Sequence, residues 1–357
     1  MLAAYASAVG GDDPLANLTV GDLPTPSPRP GWALVRVRAA SLNHHDIWTL
    51  RGVSSAPVTP PQILGCDASG EVAGYGGDPP PGAPEVGARV VVYPITTCGH
   101  CAACLGDEPL GCRSFRMLSE PPLAGAFAEY VEIPSENLVP LPDQVSFPDA
   151  ACLPTAYLTA YRALFTRAAL RPGMSVLVQG ASGGVATACI LLSRLAGITV
   201  FATSRDAAKR ALAVDLGAEA AFPLERETTR ALIGATGGVG VDAVVDTVGE
   251  PTWDLSLKAV KPGGVVVVPG ATGGLNPPAQ LNRIFFRSLT VAGTTMGTRG
   301  ELRRLVDLCA TGALRPLIGA THSLADAASA FGEMFRGELR GKIVLEPGNT
   351  ATTSREA

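Results

Sequence analysis

Apolar and polar positions change their period near residue 150. Before it, short runs alternate in the two-residue rhythm of half-buried strands, at 32–39, 86–93 (VGARVVVY) and 125–133 (GAFAEYVEI). Pro-rich stretches at 24–30, 57–61 and 79–84 separate them. Beyond residue 150 the rhythm lengthens. A helix is predicted over 150–169, then strand 175–179, helix 184–195, strand 198–203 and helix 207–216. Strand 243–246, helix 252–259 and strands 265–269 and 289–293 follow. Short apolar strands alternating with helices predict an α/β fold, a doubly wound parallel sheet covered on both faces. A helix at 302–311 and a strand at 342–345 return the chain to its first part, and the polar stretch after Pro347 is expected to fray. The expected division is therefore a β-rich region 1–150, a parallel-sheet region 151–295 and a return segment 296–357.

Composition changes this picture little. With 357 residues, 28 basic and 32 acidic side chains and a net charge of −4, the chain suggests about two cores and no basic nucleic-acid surface. The longest apolar runs are strand length, and Met1 is followed by neither a basic segment nor an apolar run. A cytoplasmic location, without membrane or nucleic-acid partners, is expected.

Candidate chemistry begins with four of the eight cysteines. Cys98, Cys101, Cys104 and Cys112 are spaced C-x2-C-x2-C-x7-C. Four thiolates on one short loop close a tetrahedron round zinc and leave no open position, so such a site is structural. A [4Fe–4S] cluster is the rival, though its common run places three residues before the fourth cysteine and a proline after it. Disulfides are the plainer alternative, disfavoured in a reducing compartment.

The strand at 175–179 runs into Gly180-Ala181-Ser182-Gly183-Gly184-Val185-Ala186 and then a helix. A tight strand-to-helix turn with small residues lets a pyrophosphate approach the backbone at the positive end of the helix. The next strand ends in Ser204-Arg205, where an acidic residue would select NAD. Ser204 and Arg205 suit a 2′-phosphate instead, with Lys209 assisting and Asp206 capping the following helix. NADP(H) is the expected dinucleotide.

Together with Ser41–Asp46 (SLNHHD), Ile63–Gly70 (ILGCDASG), Gly125–Tyr130, Leu158–Tyr161 (LTAY), Asp242–Gly249 (DAVVDTVG), Lys261–Gly264 and Gly341–Val344 (GKIV), these features resemble the medium-chain dehydrogenase/reductase superfamily over nearly the whole chain. The superfamily contains zinc alcohol dehydrogenases and quinone oxidoreductases. The resemblance implies a GroES-like catalytic domain interrupted by a Rossmann domain, with the cofactor between them, and a homodimer or homotetramer. In dimers the Rossmann sheets commonly join at an edge that would lie near residues 289–294. It also assigns His44, Thr159 and Arg283 to the cofactor, and puts Lys342 either near the cofactor or at a plain strand start.

The chain departs from the alcohol dehydrogenases where they hold a second, catalytic zinc. Their C-G-x-D string reads Asn43-His44-His45-Asp46, their G-H-E string reads Gly65-Cys66-Asp67, and the third ligand falls near Thr155. One structural zinc and a metal-free active site are expected, with a rebuilt site at Cys66, Asp67 and a histidine left open. Without zinc, hydrogen-bond donors or a general acid must take up the charge that develops on oxygen. His45 stands where relatives carry the proton-relaying hydroxyl. Asn43 is a candidate donor to the substrate, and Asp46 either holds a histidine tautomer or bonds the backbone. Phe285 and Phe286 are expected in a core or a dimer contact. The leading expectation is an NADPH-dependent oxidoreductase acting on a carbonyl, quinone or conjugated enone. The alternatives are a zinc alcohol dehydrogenase with displaced ligands and a non-enzymatic NADPH-binding sensor.

Overall fold

The computed structural model describes residues 1–348 except Ser55, Asp107 and Leu339. The polar tail expected to fray lies, from residue 349, outside the described residues. The chain forms two compact units, one made of Met1–Thr155 with the chain from Thr298, the other of Ala156–Gly297.

The first unit is built on a sheet in the order Leu138–Pro140, Arg89–Val92, Asp67–Tyr75, Trp32–Ser41, Lys342–Glu346 and Ile318–Ser323, with Tyr130–Pro134 also on Trp32–Ser41. Alternation along Trp32–Ser41 puts Val35 and Val37 in a core with Leu64, Phe127 and Phe331. The centre of this sheet matters most here. Ser41 faces Asp67 on one side and Val344 on the other, so strands far apart in sequence bring their polar ends together.

The expected strand at 125–133 is shorter, beginning only at Tyr130. Gly125, Ala126 and Phe127 instead donate their backbone N–H groups to Ile63, Gly65 and Leu64, an irregular path rather than a regular ladder. A second correction concerns 150–169. The helix starts earlier, at Phe147, where Ser146 accepts from the Asp149 N–H. It then widens into π-helical turns at Leu153–Tyr157 and Arg162–Arg167. Pro154, which has no N–H to give, lies in the first of them.

The second unit carries a six-stranded, all-parallel sheet. Numbered along the chain, its strands lie in the order 3-2-1-4-5-6: Ala220–Phe222, Thr199–Thr203, Ser175–Gln179, Val241–Asp246, Val260–Val268 and Thr290–Gly293. This is the doubly wound dinucleotide-binding order, and its switch point falls between Ser175–Gln179 and Val241–Asp246. The helix Leu281–Phe286 precedes the last of these strands. Phe285 and Phe286 are 62% and 80% exposed, which removes them from any core of this unit. Among the described residues no helix is long and apolar enough to cross a membrane.

Candidate active site and metal lobe

At the switch point Ser175–Gln179 turns through Gly180, whose φ of +84° suits glycine, into the helix Gly184–Leu195. Gly183 is extended, and a Cβ built on it would meet no atom within 4 Å. Nothing in the protein demands a glycine there, whereas close approach of a phosphate to the backbone does. Ala181 and Ser182 are buried behind this turn. Beneath it runs a polar network that sequence reading missed. Thr203 Oγ1 donates to Gln179 Oε1 at 2.5 Å, Gln179 Nε2 to Ser256 Oγ at 3.0 Å, and Ser256 Oγ to Asp246 Oδ2 at 2.7 Å. It ties together the carboxyl ends of three neighbouring strands.

Past Thr199–Thr203, Arg205 is exposed and Ser204 Oγ accepts from the Asp206 N–H. Asp206 caps the helix Ala207–Asp215 by accepting from the Lys209 N–H, as expected. Arg210 adds a cation the sequence did not single out, its Nη1 donating to the carbonyls of Ser204 and Arg205 at 2.8 and 3.0 Å. Thr159 Oγ1 accepts from the Met296 N–H at 3.0 Å, and Arg283 Nε donates to Gln280 at 2.9 Å.

In the first unit Asn43 precedes the short helix His44–Leu50. The buried Asp46 carboxylate accepts from the backbone N–H of Asn43 at 2.8 Å and of Gly65 at 3.1 Å. Its role is thus the backbone one, and no bond to a histidine is made. Burial pushes the Asp46 carboxyl up to about 7, against these two donors. Gly65 holds a φ of +92°, and a Cβ on it would sit 2.3 Å from the Phe127 ring. Glycine is therefore required just before Cys66.

The four side chains at the positions where alcohol dehydrogenases hold their catalytic zinc, Asn43, Cys66, Asp67 and Thr155, do converge. Asn43 Nδ2 donates to Asp67 Oδ2 at 2.8 Å, with the Ser41 carbonyl at 3.3 Å and Cys66 Sγ at 3.5 Å. Thr155 Oγ1 donates to Asp67 Oδ1 at 2.5 Å and lies 3.4 Å from Cys66 Sγ. Ser41 Oγ donates to Asp67 Oδ2 at 2.9 Å. The amide hydrogens of Asn43 are thereby engaged inward, and in this arrangement it is a buttress rather than a free donor to substrate. One further residue joins them. Lys342 Nζ reaches the Leu42 carbonyl at 2.6 Å, Asn43 Oδ1 at 2.7 Å and Asp67 Oδ2 at 3.3 Å.

This donor set does not fit a catalytic zinc. Such an ion needs three good protein ligands and an open position. Here two of the three positions are an amide and a hydroxyl, and an ammonium lies against the carboxylate. Burial, then the nearby Asp67 and Asp46 charges, pushes the Cys66 thiol well above its ordinary value, so it stays neutral. His45 differs from its neighbours, because its Nε2 is buried without a hydrogen-bond partner. Burial holds this imidazole below its ordinary value, although Glu120 and Asp67 pull it the other way. His44, beside it, is exposed.

The cysteine lobe hangs on the two-stranded ribbon Ile95–Thr96 and Arg116–Met117. Cys101 caps the turn of helix Ala102–Leu105 that carries Cys104. The sulfurs of Cys98 and Cys104, Cys101 and Cys104, and Cys98 and Cys112 are 3.8, 3.5 and 3.6 Å apart. A zinc–thiolate tetrahedron has edges of about 3.8 Å, from bonds of about 2.3 Å. No disulfide joins them, their sulfurs standing well beyond the bonded length of about 2.05 Å, and all four thiols are free. Among the described residues this is the group whose ligand atoms come together for a metal.

Two family models match the chain, one described as an alcohol dehydrogenase GroES-like domain over residues 29–143, the other as a zinc-binding dehydrogenase over 184–311. A solved structure described as an NAD-dependent alcohol dehydrogenase superposes with a TM-score of 0.89 at 34% identity, covering 97% of this chain and 99% of its own. The chain belongs to the medium-chain dehydrogenase/reductase superfamily. It is an oxidoreductase of that superfamily, with a cysteine cluster fit for structural zinc. Curated relatives within the superfamily include the acryloyl-coenzyme A reductase of Metallosphaera sedula, 29% identical over 91% of this chain and 95% of its own. An alcohol dehydrogenase of Geobacillus stearothermophilus is 28% identical over 92% and 95%.

Proposed function

We propose that this dehydrogenase/reductase uses NADPH to reduce a carbon–carbon double bond conjugated to a carbonyl, in an enone, quinone or enoyl thioester, without a catalytic metal. The observation that carries this reading is His45, a neutral imidazole with an unpaired buried Nε2 beside a pocket whose donor set cannot hold zinc. The turn at Gly180, Ala181, Ser182, Gly183, Gly184 and Val185 holds the pyrophosphate, and Ser204, Arg205 and Lys209 the 2′-phosphate. Bound there, the nicotinamide supplies a hydride to the electron-poor carbon of the substrate. His45 relays the proton that completes the reduction, and a proton from solvent restores the imidazole, so the overall change is one hydride and one proton added across the double bond. Asn43 and Asp46 keep the start of the His45 helix in place. Similarity to an acryloyl-coenzyme A reductase supports this substrate class.

The solved relative described as an NAD-dependent alcohol dehydrogenase supports a second reading, in which the same imidazole protonates a carbonyl oxygen. The exposed apolar side chains Leu281, Phe285, Phe286 and Val291, at the Thr290–Gly293 sheet edge, support a homodimer formed there.

The test is steady-state kinetics of wild type and His45→Gln with NADPH and NADH against enones, quinones, enoyl thioesters and simple ketones. NADPH-dependent turnover of the conjugated substrates, with kcat lowered about 100-fold in the variant, is expected. Turnover of ketones alone would favour the second reading. Tight NADPH binding without any turnover would favour a sensor. Arg205→Ala is expected to raise KM for NADPH about tenfold and to leave NADH unchanged.

A further inference from the structure

We propose that the ammonium of Lys342 is the resident cation of the pocket formed by Asn43, Cys66, Asp67 and Thr155, positioning Asp67 and the start of the His45 helix where other members of the superfamily would place a metal ion. Lys342 is 3% exposed and Asp67 is fully buried, so neither charge is carried by solvent. An ammonium has three protons, and here each has an acceptor: the Leu42 carbonyl, Asn43 Oδ1 and Asp67 Oδ2. None is left for a dinucleotide phosphate. The side chain is thereby taken out of the cofactor-binding role that its GKIV string suggested.

The three acceptors explain the rest of the pocket. By occupying Asn43 Oδ1, Lys342 fixes which way the amide faces, and Nδ2 is turned onto Asp67 Oδ2. The Leu42 carbonyl and the Asn43 side chain immediately precede His44–Leu50, so the lysine pins the first turn that carries His45. Asp67 in turn collects Ser41 on one oxygen and Thr155 on the other. Ser41 Oγ also reaches the Ala151 carbonyl at 2.9 Å. One cation therefore organises residues from three other stretches of the chain. A divalent ion placed among Cys66, Asp67 and Thr155 would meet this ammonium at close range, and like charges in a buried site repel strongly. The ammonium and its acceptors all lie within the first unit, whatever the substrate.

A double-mutant cycle of Lys342→Met, Asp67→Asn and the pair tests it, read by thermal unfolding and by metal content. Removing one partner of a buried ion pair costs far more than replacing both. Lys342→Met is expected to lower Tm by about 10 °C or more, and adding Asp67→Asn to recover most of that loss. An amide at position 67 can still accept from Ser41 and Asn43 with its oxygen and donate to Thr155 with its nitrogen. Should Lys342→Met be insoluble, the double variant must still fold. Effects of the two substitutions that simply add, or a double variant no better than Lys342→Met, would overturn the proposal. Elemental analysis of wild type purified without chelator and then incubated with cobalt(II) or zinc gives the second readout. One ion per chain, removed by Cys98→Ser, is expected, whereas a second ion that Cys66→Ser displaces would overturn it. Neither readout uses activity, so failure here is distinguishable from failure of the proposed reduction.

Discussion

The cysteine lobe and the interior pocket are built from the same kinds of ligand atom and answer the question of charge in opposite ways. In the lobe four thiols face one another on a short loop, with the measured sulfur pairs 3.5–3.8 Å apart. In the pocket a single buried thiol stays neutral beside Asp67, and the lysine supplies the positive charge. The difference teaches that a metal site is defined less by the presence of cysteine and carboxylate than by what else is there to balance them. Thiols with no fixed counter-charge invite an ion, whereas a carboxylate already paired does not.

The sharpest way to break this contrast is to remove one thiol from each region. Cys98→Ser is expected to take bound zinc from about one per chain to near zero by mass spectrometry and to unfold the lobe, because metal binding supplies most of the stability of such loops. Cys66→Ser should leave the metal content unchanged. Equal losses from both variants would erase the distinction.

A smaller effect probes the wall of the pocket. Gly65→Ala forces a left-handed residue and a Cβ into the Phe127 ring. A loss of about 3 kcal/mol or more is expected in chemical denaturation. Gly183→Ala, where φ is −72° and the added carbon meets open space, should cost little stability and appear instead as a raised KM for NADPH.

The smallest expected effect is a pH dependence confined to the pocket. The Asp46 carboxyl is raised to about 7 from an ordinary 3.8, so the folded chain holds its proton more tightly than the unfolded one. Its contribution to stability is therefore present in acid and lost as pH rises through about 7. Wild type should lose roughly 2 kcal/mol relative to Asp46→Asn between pH 5 and 8. A parallel pH profile for the two chains would show that the carboxyl is ionised throughout.

Much of this was legible in advance. The strand Ser175–Gln179 and the helix Gly184–Leu195 end where their apolar periods end, because both are buried units bounded by glycines. The lobe is equally readable, since its four ligands lie within one short loop. What escaped is set by long-range geometry. A helix beginning at Arg299 rather than 302 was signalled by the capping box of Thr298 and Glu301, a local cue that periodicity alone overlooks. The π-helical turns around Thr155 left no periodic trace. Nor does a lysine at a strand start reveal that its side chain turns inward to a carboxylate 275 residues earlier. Asn43 shows the same limit: its type suggested a free donor, and only its partners show it to be engaged.

That separation has a consequence in time. The dinucleotide unit is one uninterrupted stretch and can close as soon as Gly297 has left the ribosome, whereas the other unit also needs the strand Lys342–Glu346. With 275 residues between Asp67 and Lys342, synthesis at about 5–20 residues per second leaves the carboxylate without its cation for on the order of 15–55 s. During that interval the nascent first unit carries a site with thiol and carboxylate and no ammonium, and the strand that carries Lys342 is the one that closes it.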